Sequence, residues 1–296
     1  MKVGVVANQA KSLGGGLLEL RRALDSAGVA DPLWQEVPKS SKAPAALKRV
    51  LADGAELVFA WGGDGLVQRC IDVLAGSDVP LAVLPAGTSN LLATNLELPS
   101  DIEEAVEVGL RGERRRIDVG RLNGERFAVM AGSGIDAAMI RDADGGLKDR
   151  LGRVAYVWTG LKNLRSEPFG AAVKVDGVSW FKGDATCVLI GNLGQLFGGI
   201  EVFADARPDD GKLEVGVITA DGFAQWARAA ARTVVANAEA SPFLQATRAE
   251  SVKVELDRKV VYELDGGDRA KTKSLKVKVE PAAVTLCVPR LQTRST

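Results

Sequence analysis

Residues 57–74, LVFAWGGDGLVQRCIDVL, constrain what this chain can fold into more than any other stretch. The apolar run from Leu57 to Trp61 is long enough for a buried strand. It breaks at Gly62-Gly63-Asp64-Gly65 and resumes with Leu66, Val67, Cys70, Ile71 and Leu74 at helical spacing. Strand, glycine turn and helix in that order leave backbone N–H groups without partners at the helix start, where an anion can sit. Glycines here let a phosphate approach the backbone with no Cβ in its way. Asp64 fits as a group that orients the loop by accepting backbone N–H bonds, or as one that faces a phosphate-bound Mg²⁺. A tight strand-to-helix turn with a surface aspartate accounts for the same residues, because short glycine motifs are weak evidence by themselves.

A second stretch has the same grammar. Pro80 to Pro85 reads as another buried strand, followed by Ala86-Gly87-Thr88-Ser89-Asn90 and the helix-like Leu91 to Leu96. Ser89 or Thr88 is the expected N-cap, and the Thr88 hydroxyl can donate to a phosphate oxygen. Two glycine turns at the carboxyl ends of neighbouring parallel strands would face one crevice, where open α/β sheets bind ligands. The chain has neither the G-x-x-x-x-G-K-[ST] of a P-loop nor a G-x-G-x-x-G following a strand.

Several function classes drop out on composition. There is no histidine, so Ser-His-Asp triads, His-ligated metals and imidazole bases are excluded. Proton transfer must rest on a carboxylate, Lys, Tyr or Cys. Cys70, Cys187 and Cys287 are isolated, without C-x-x-C spacing, which argues against a zinc site or disulfide framework and suits a reducing cytoplasm. Lys+Arg and Asp+Glu both number 38, so no global basic field points to nucleic acid. No apolar run reaches the roughly 18 residues of a membrane span, and the N-terminus lacks a signal pattern.

Along the chain the texture changes near residue 117. Before it, short strands alternate with helical segments at Leu17–Ala27, Ala43–Ala52 and Asp101–Leu110, the last with Asp101, Glu103 and Glu104 in its first turn. Alternating β and α implies a parallel sheet covered on both faces. The run Arg111 to Arg116 (RGERRR) reads as solvated linker, with contact to phosphates or anionic lipid as the other reading. Beyond it, strand-like segments follow at 127–130, 171–175, 178–181, 185–190, 213–218, 252–256, 259–263, 275–279 and 284–288. Several alternate, as in Leu275-Lys276-Val277-Lys278-Val279, and imply antiparallel strands with one wet face. Helices are expected near 151–164 and 224–237. The expected architecture is an α/β nucleotide-binding domain over residues 1–117 and an antiparallel β-sandwich domain over 118–296, the extreme C-terminus packing back on the first.

GGDGL followed by LPAGTSNLLATNLELP resembles the diacylglycerol kinase catalytic family, the soluble bacterial lipid kinases related to sphingosine and ceramide kinases. The resemblance runs nearly end to end. Val6-Ala7-Asn8 matches the family's first strand and Asn-Pro turn, with Gln9 in place of Pro. Gly132 to Ala137 matches a central G-x-G-x-D-A, Gly198-Gly199 and Ala204 to Leu213 a second-domain segment, and Leu264-Asp265-Gly266 a late D-G-E.

The resemblance implies an ATP- and Mg²⁺-dependent kinase that phosphorylates a hydroxyl of a diacylglycerol-like or long-chain-base lipid at a membrane surface, peripheral to it and without nucleic acid. ATP would lie across Asn8, Gly62, Gly63, Asp64, Gly65, Leu66, Gly87 and Thr88. Asp265 would take the hydroxyl proton, although D-G between two strands is also an ordinary hairpin turn. Asp210, with the backbone carbonyls of Arg207 and Lys212, would hold a structural Mg²⁺, although a type I turn explains Pro208-Asp209-Asp210-Gly211 equally well. Leu66 replaces the family's usual Thr, Gln68-Arg69 its Asn-Glu, and Gly267 its Glu, with Asp268 one place later. Those departures keep a non-catalytic nucleotide- or lipid-binding relative in play, as the shared GGDG loop keeps an NAD kinase. The oligomeric state, a homodimer included, stays open.

Overall fold

The computed structural model of the chain describes residues 1–134, 168–196, 201–219 and 244–290. The helices expected near 151–164 and 224–237, Ile135 to Ala137 and Gly198-Gly199 lie outside the described residues. The chain divides into two units, residues 1–117 with 282–296, and residues 118–281.

The first unit alternates strand and helix: β1 (Val3–Asn8), α1 (Gly16–Ser26), β2 (Leu33–Val37), α2 (Ala43–Ala52), β3 (Leu57–Gly62), α3 (Asp64–Leu74), β4 (Leu81–Pro85), α4 (Leu91–Asn95) and α5 (Ile102–Arg111). β1 pairs in parallel with β2 and β3, and β3 with β4. The sheet is buried on both faces, as the unbroken apolar runs require. Val5, Ala7, Phe59, Trp61 and Leu84 pack under α1 and α5, while α2 and α3 lie together along β1 and β3. Asp101 caps α5, its carboxylate accepting the Glu104 N–H at 3.0 Å. The C-terminal end of β14 (Gly267–Val288) adds beside β4, Leu286 opposite Leu81.

The second unit contains β6 (Glu125–Phe127), β7 (Met130–Ser133), β8 (Phe169–Val175), β9 (Val178–Ala185), β10 (Cys187–Gly191), β11 (Leu213–Ile218), β12 (Leu244–Ala249) and β13 (Ser251–Leu264). It also takes the ends of β5 (Glu113–Leu122) and β14 that lie within 118–281. Neighbours run in the order β12-β11-β10-β7-β13-β14, with β8 and β9 continuing from β13 and β5-β6 from β14. All of the registers resolved there are antiparallel. One core gathers Val173, Val188, Ile190, Val215, Val217, Val254, Leu275 and Val277. The two units are the α/β and β-sandwich folds that the change of periodicity implies.

Two expectations need correction, and one strand is not anticipated at all. Leu33–Val37 is a strand that the sequence does not announce, because its half-buried residues carry no clean alternation. The RGERRR run is not linker: Arg111 ends α5, Gly112 caps it and Glu113 to Arg116 open β5, and two of its arginines have internal partners, Arg114 donating to the Gly109 carbonyl at 2.7 Å and Arg116 to that of Ala282 at 3.1 Å. Segments 252–256 and 259–263 belong to one strand, as do 275–279 and 284–288. The breaks between the first two are irregularities in a continuous pairing.

Candidate active site

β1, β3 and β4 end in one row. Ala7 pairs with Trp61 and Gly62 with Pro85, so Asn8, Gly62 and Pro85 share the carboxyl edge of the sheet. Asn8 is buried there. Its side-chain oxygen accepts the Ala10 N–H at 3.0 Å, and its amide reaches the Ser40 hydroxyl at 3.4 Å.

The two glycine loops meet backbone to backbone. A Cβ on Gly63 would lie 2.9 Å from Gly87 Cα, and one on Gly87 would lie 2.4 Å from Gly63 Cα. No residue with a side chain fits at either place without moving a loop. Gly65 is different: it is exposed, and a Cβ there meets nothing within 4 Å. Asp64 opens α3, where its charge meets the positive end of the helix dipole. The Leu66 and Val67 N–H groups donate to the Gly63 carbonyl at 2.9 and 3.2 Å, which closes the first turn. Leading N–H groups of a helix point out of its first turn, where they can meet an anion.

Leu66 does not face a ligand. Its side chain is fully buried beneath Gly62, where an added Cβ would come within 2.9 Å of Leu66 Cβ. The family's Thr position is thus filled by a residue that packs the loop from below. Arg69, on the same helix, has a buried Nε without a hydrogen-bond partner among the described residues.

Neither Ser89 nor Thr88 caps α4. Asn90 stands at the N-cap position, in the left-handed region at φ 46°, but its side chain makes no cap bond and turns back to staple the loop. Its oxygen accepts the Gly87 N–H at 2.9 Å, while its amide donates to the Pro85 and Gly87 carbonyls, each at 2.9 Å. Thr88 is left exposed beside Gly87.

Asp265 lies in the second unit, in a two-residue hairpin between β13 and β14. Asp265 and Gly266 both have positive φ, 45° and 76°, and Leu264 pairs with Gly267. That is the D-G turn of a right-twisted hairpin. Its carboxylate, however, points inward and is 6% exposed. Oδ2 accepts the Ala128 N–H at 2.8 Å, and Oδ1 accepts those of Val129 and Met130 at 2.9 Å each. Ala128 and Val129 form the break between β6 and β7, and Met130 opens β7. Burial pushes the carboxyl above the usual aspartate range, opposed by the three N–H bonds and the Arg269 charge. Asp268 is exposed and pairs through its backbone with Glu263.

Two buried polar residues near this turn escape sequence reasoning, and the first of them supports it. Asn192, buried, donates to the Asp118 and Ala128 carbonyls at 2.8 and 3.0 Å, holding the same segment from its other side. Glu263 is a second buried carboxylate, and its charge helps to raise the Cys187 thiol. Neither stands in a motif: Asn192 lies just past the end of β10, and Glu263 lies next to the last residue of β13. Burial also pushes Cys70 up to about 12 and Cys287 up to about 11, so neither thiol is a base near neutral pH.

The donor set at Asp210 does not fit a resident metal. Its Oδ2 pairs with the Arg248 guanidinium, whose Nε also holds Glu214 at 2.8 Å, and its Oδ1 accepts the Lys212 N–H at 3.1 Å. The cation that faces Asp210, between Arg207 and Lys212, is therefore an internal one. Among the described residues no three Cys, Asp or Glu side chains gather as metal ligands. Mg²⁺ without nucleotide is expected to leave the melting temperature unchanged. Arg248→Met, which bares Asp210 and Glu214, is expected to lower it and make it respond to Mg²⁺. Thermal melts with and without Mg²⁺ check both, and a wild-type rise with Mg²⁺ would restore the metal.

The family described as diacylglycerol kinase catalytic domain matches residues 3–122, and that described as YegS C-terminal NAD kinase beta sandwich-like domain matches residues 129–288. The diacylglycerol kinase of Bacillus subtilis (strain 168) is 32% identical over 216 residues, covering 71% of each chain. That of Mycobacterium tuberculosis (strain ATCC 25618 / H37Rv) is 29% identical over 252 residues, 82% of this chain and 80% of the relative. A crystal structure of a diacylglycerol kinase from Bacillus anthracis str. Sterne shares the fold at a TM-score of 0.74 and 21% identity, covering 97% of this chain and 96% of that one.

Proposed function

This chain belongs to the diacylglycerol kinase family, and we propose from that premise that it transfers the γ-phosphoryl group of ATP to a hydroxyl of a diacylglycerol-like or long-chain-base lipid. The observation that carries the reading is the pair of glycine loops packed together at the carboxyl edge of the parallel sheet. Phosphates sit on the N–H groups from Gly63 to Gly65, with Thr88 and Asn8 beside them, and Mg²⁺ arrives bound to ATP as part of the substrate. Leu66 serves from beneath, by holding the loop in shape.

In the transfer, the lipid hydroxyl oxygen forms a bond to the γ-phosphorus as the bond to the β–γ bridging oxygen breaks and ADP leaves. Asp265 takes the hydroxyl proton. Its Oδ2 holds a single N–H donor and retains a lone pair, and burial makes the group a stronger base than an ordinary aspartate. Full deprotonation of an alcohol is not required, because phosphoryl transfer passes through a loose transition state in which the proton leaves late. An acyl chain needs only an apolar surface, each buried CH₂ contributing roughly 0.8 kcal/mol.

A base must be ionised to act, and a raised pKa keeps it protonated to higher pH. The acid limb of the kcat profile is therefore expected above the roughly pH 4 of an ordinary aspartate. A limb at or below that value would remove Asp265 from this role. The reading as a whole is tested by incubating the protein with γ-labelled ATP and a mixed lipid extract. A labelled lipid is the expected product. Labelled NADP from added NAD would make the chain an NAD kinase. Tight ATP binding without turnover would make it the non-catalytic relative that the buried Leu66 and Gly267 suggest.

A further inference from the structure

Helix α3 carries a single cation, Arg69, one turn after the exposed Gly65 and on the same face. Leu66, Val67, Cys70, Ile71 and Leu74 are buried against the sheet, and Arg69 stands half-buried at the margin of that apolar face. Its Nε is buried without an acceptor, and among the described residues no carboxylate pairs with its guanidinium. Asp64 and Asp72, the acids of the same helix, are engaged by other groups. An unmet buried donor on a charged group is costly, so packing does not explain an arginine at this place.

Long side chains on a helix lean back toward its N-terminus, over the turn that precedes their own Cα. The turn before Arg69 begins at Gly65, where an added Cβ would meet nothing within 4 Å. One turn rises only about 5.4 Å, within the span of an arginine side chain, so the guanidinium can reach the helix start. There Gly63 and Gly87 meet backbone to backbone, and Asn8 and Pro85 share the carboxyl edge of the sheet. Leu66 is fully buried beneath Gly62 and offers no polar atom to a ligand at that edge. Where the family has a hydroxyl at 66 and a carboxylate at 69, this chain loses a donor at the first place and gains one at the second.

We propose that Arg69 binds a phosphate of the nucleotide seated on the glycine loop, so that this chain holds its nucleotide with a cation where the family has an acid. A guanidinium presents a planar fork of N–H donors that matches two phosphate oxygens, and such charge-assisted bonds are the strong ones. The fork also supplies the acceptor that the buried Nε lacks. The inference rests on the reading of the glycine loops as a nucleotide seat. It goes beyond that reading in naming the residue that sets affinity for phosphorylated nucleotide over bare nucleoside.

The test is isothermal titration of the full chain with ATP, ADP and adenosine in the presence of Mg²⁺, beside thermal melts without ligand. Arg69→Met keeps the length of the side chain and removes the fork. Its Kd for ATP and ADP should rise roughly 10- to 100-fold, while adenosine binds as it does to wild type. Arg69→Lys keeps the charge without the fork and should fall between the two. Without nucleotide the melting temperature of Arg69→Met should hold or rise, because the change removes an unmet donor. The proposal is overturned by unchanged ATP affinity in Arg69→Met, by an equal loss for adenosine, or by a ligand-free melting temperature that falls with the affinity. A phosphate-dependent loss in a protein that labels no lipid would leave Arg69 standing as a nucleotide ligand and sink the kinase reading. Lipid labelling by wild type, with ATP affinity indifferent to Arg69→Met, would do the reverse. A wild type that binds no ATP would overturn both.

Discussion

Gly63→Val is expected to abolish phosphoryl transfer, by on the order of 10³-fold or more, and to lower the melting temperature as well. The local strand-turn-helix grammar implies a loop that tolerates the change in its fold. The packing says otherwise, because the first added carbon meets the Gly87 backbone at 2.9 Å, and backbone cannot swing aside as a flexible side chain does. Overpacking of this kind typically costs about 1–3 kcal/mol. Loss of activity in this variant is thus ambiguous between a missing phosphate seat and a displaced loop.

Gly65→Ala separates the two. Its methyl group meets no protein atom within 4 Å, and Gly65 is not among the positive-φ residues. Alanine in a helix is favoured over glycine by about 0.5–1 kcal/mol, so stability should hold or rise. If phosphates sit on this first turn, the methyl group stands in their way and kcat/KM should fall on the order of 100-fold. Full activity in Gly65→Ala would mean that the loop's glycines answer to packing alone. Steady-state kinetics beside a thermal melt decides it.

Asp265→Asn should lower kcat roughly 10²- to 10⁴-fold while KM for ATP changes little. It should also destabilise the protein. The carboxylate accepts three buried N–H groups, and an amide can accept with one oxygen only. At least one N–H, by geometry that of Ala128, would then face an NH₂ group, at a cost of about 1–3 kcal/mol.

A control with the same structural burden is needed, and Asn192→Ala supplies it. That change removes the two bonds by which Asn192 holds Asp118 and Ala128, and it touches no proton acceptor. It should lose stability and keep most of kcat. If Asn192→Ala loses as much activity as Asp265→Asn, the placement of residues 128–130 matters and not a base at 265. Asp268→Asn, on an exposed side chain, should be silent in both measurements. Loss of kcat there instead would shift the base to Asp268.

What the sequence determined by itself lies within a few residues of each position. Helix α2 and strand β11 occur at the bounds that their periodicity implies, because 3.6- and 2-residue repeats are local properties of one amphipathic surface. The acidic first turn of α5, the order of the glycine loops on their strands and the change from parallel to antiparallel units are legible for the same reason. Motif order supplied the family, since several short matches in one sequence are far more specific than any single one.

Only the tertiary structure decided the rest, because those facts join residues far apart in the chain. Asp265 reads locally as an exposed hairpin aspartate, yet it is buried by a segment 137 residues away. Gly63 and Gly87 read as two phosphate turns, yet each is glycine because the other's backbone leaves no room. Asp210 reads as a turn or a metal ligand, and Arg248, from β12, supplies the cation. The lysines of β8, β13 and β14 read as the wet face of alternating strands. Their alignment into one charged row exists only once strand register brings position 174 beside 253 and 276. Burial, close backbone approach and charge juxtaposition arise from packing between distant segments, and local periodicity carries no record of which segment the partner will be.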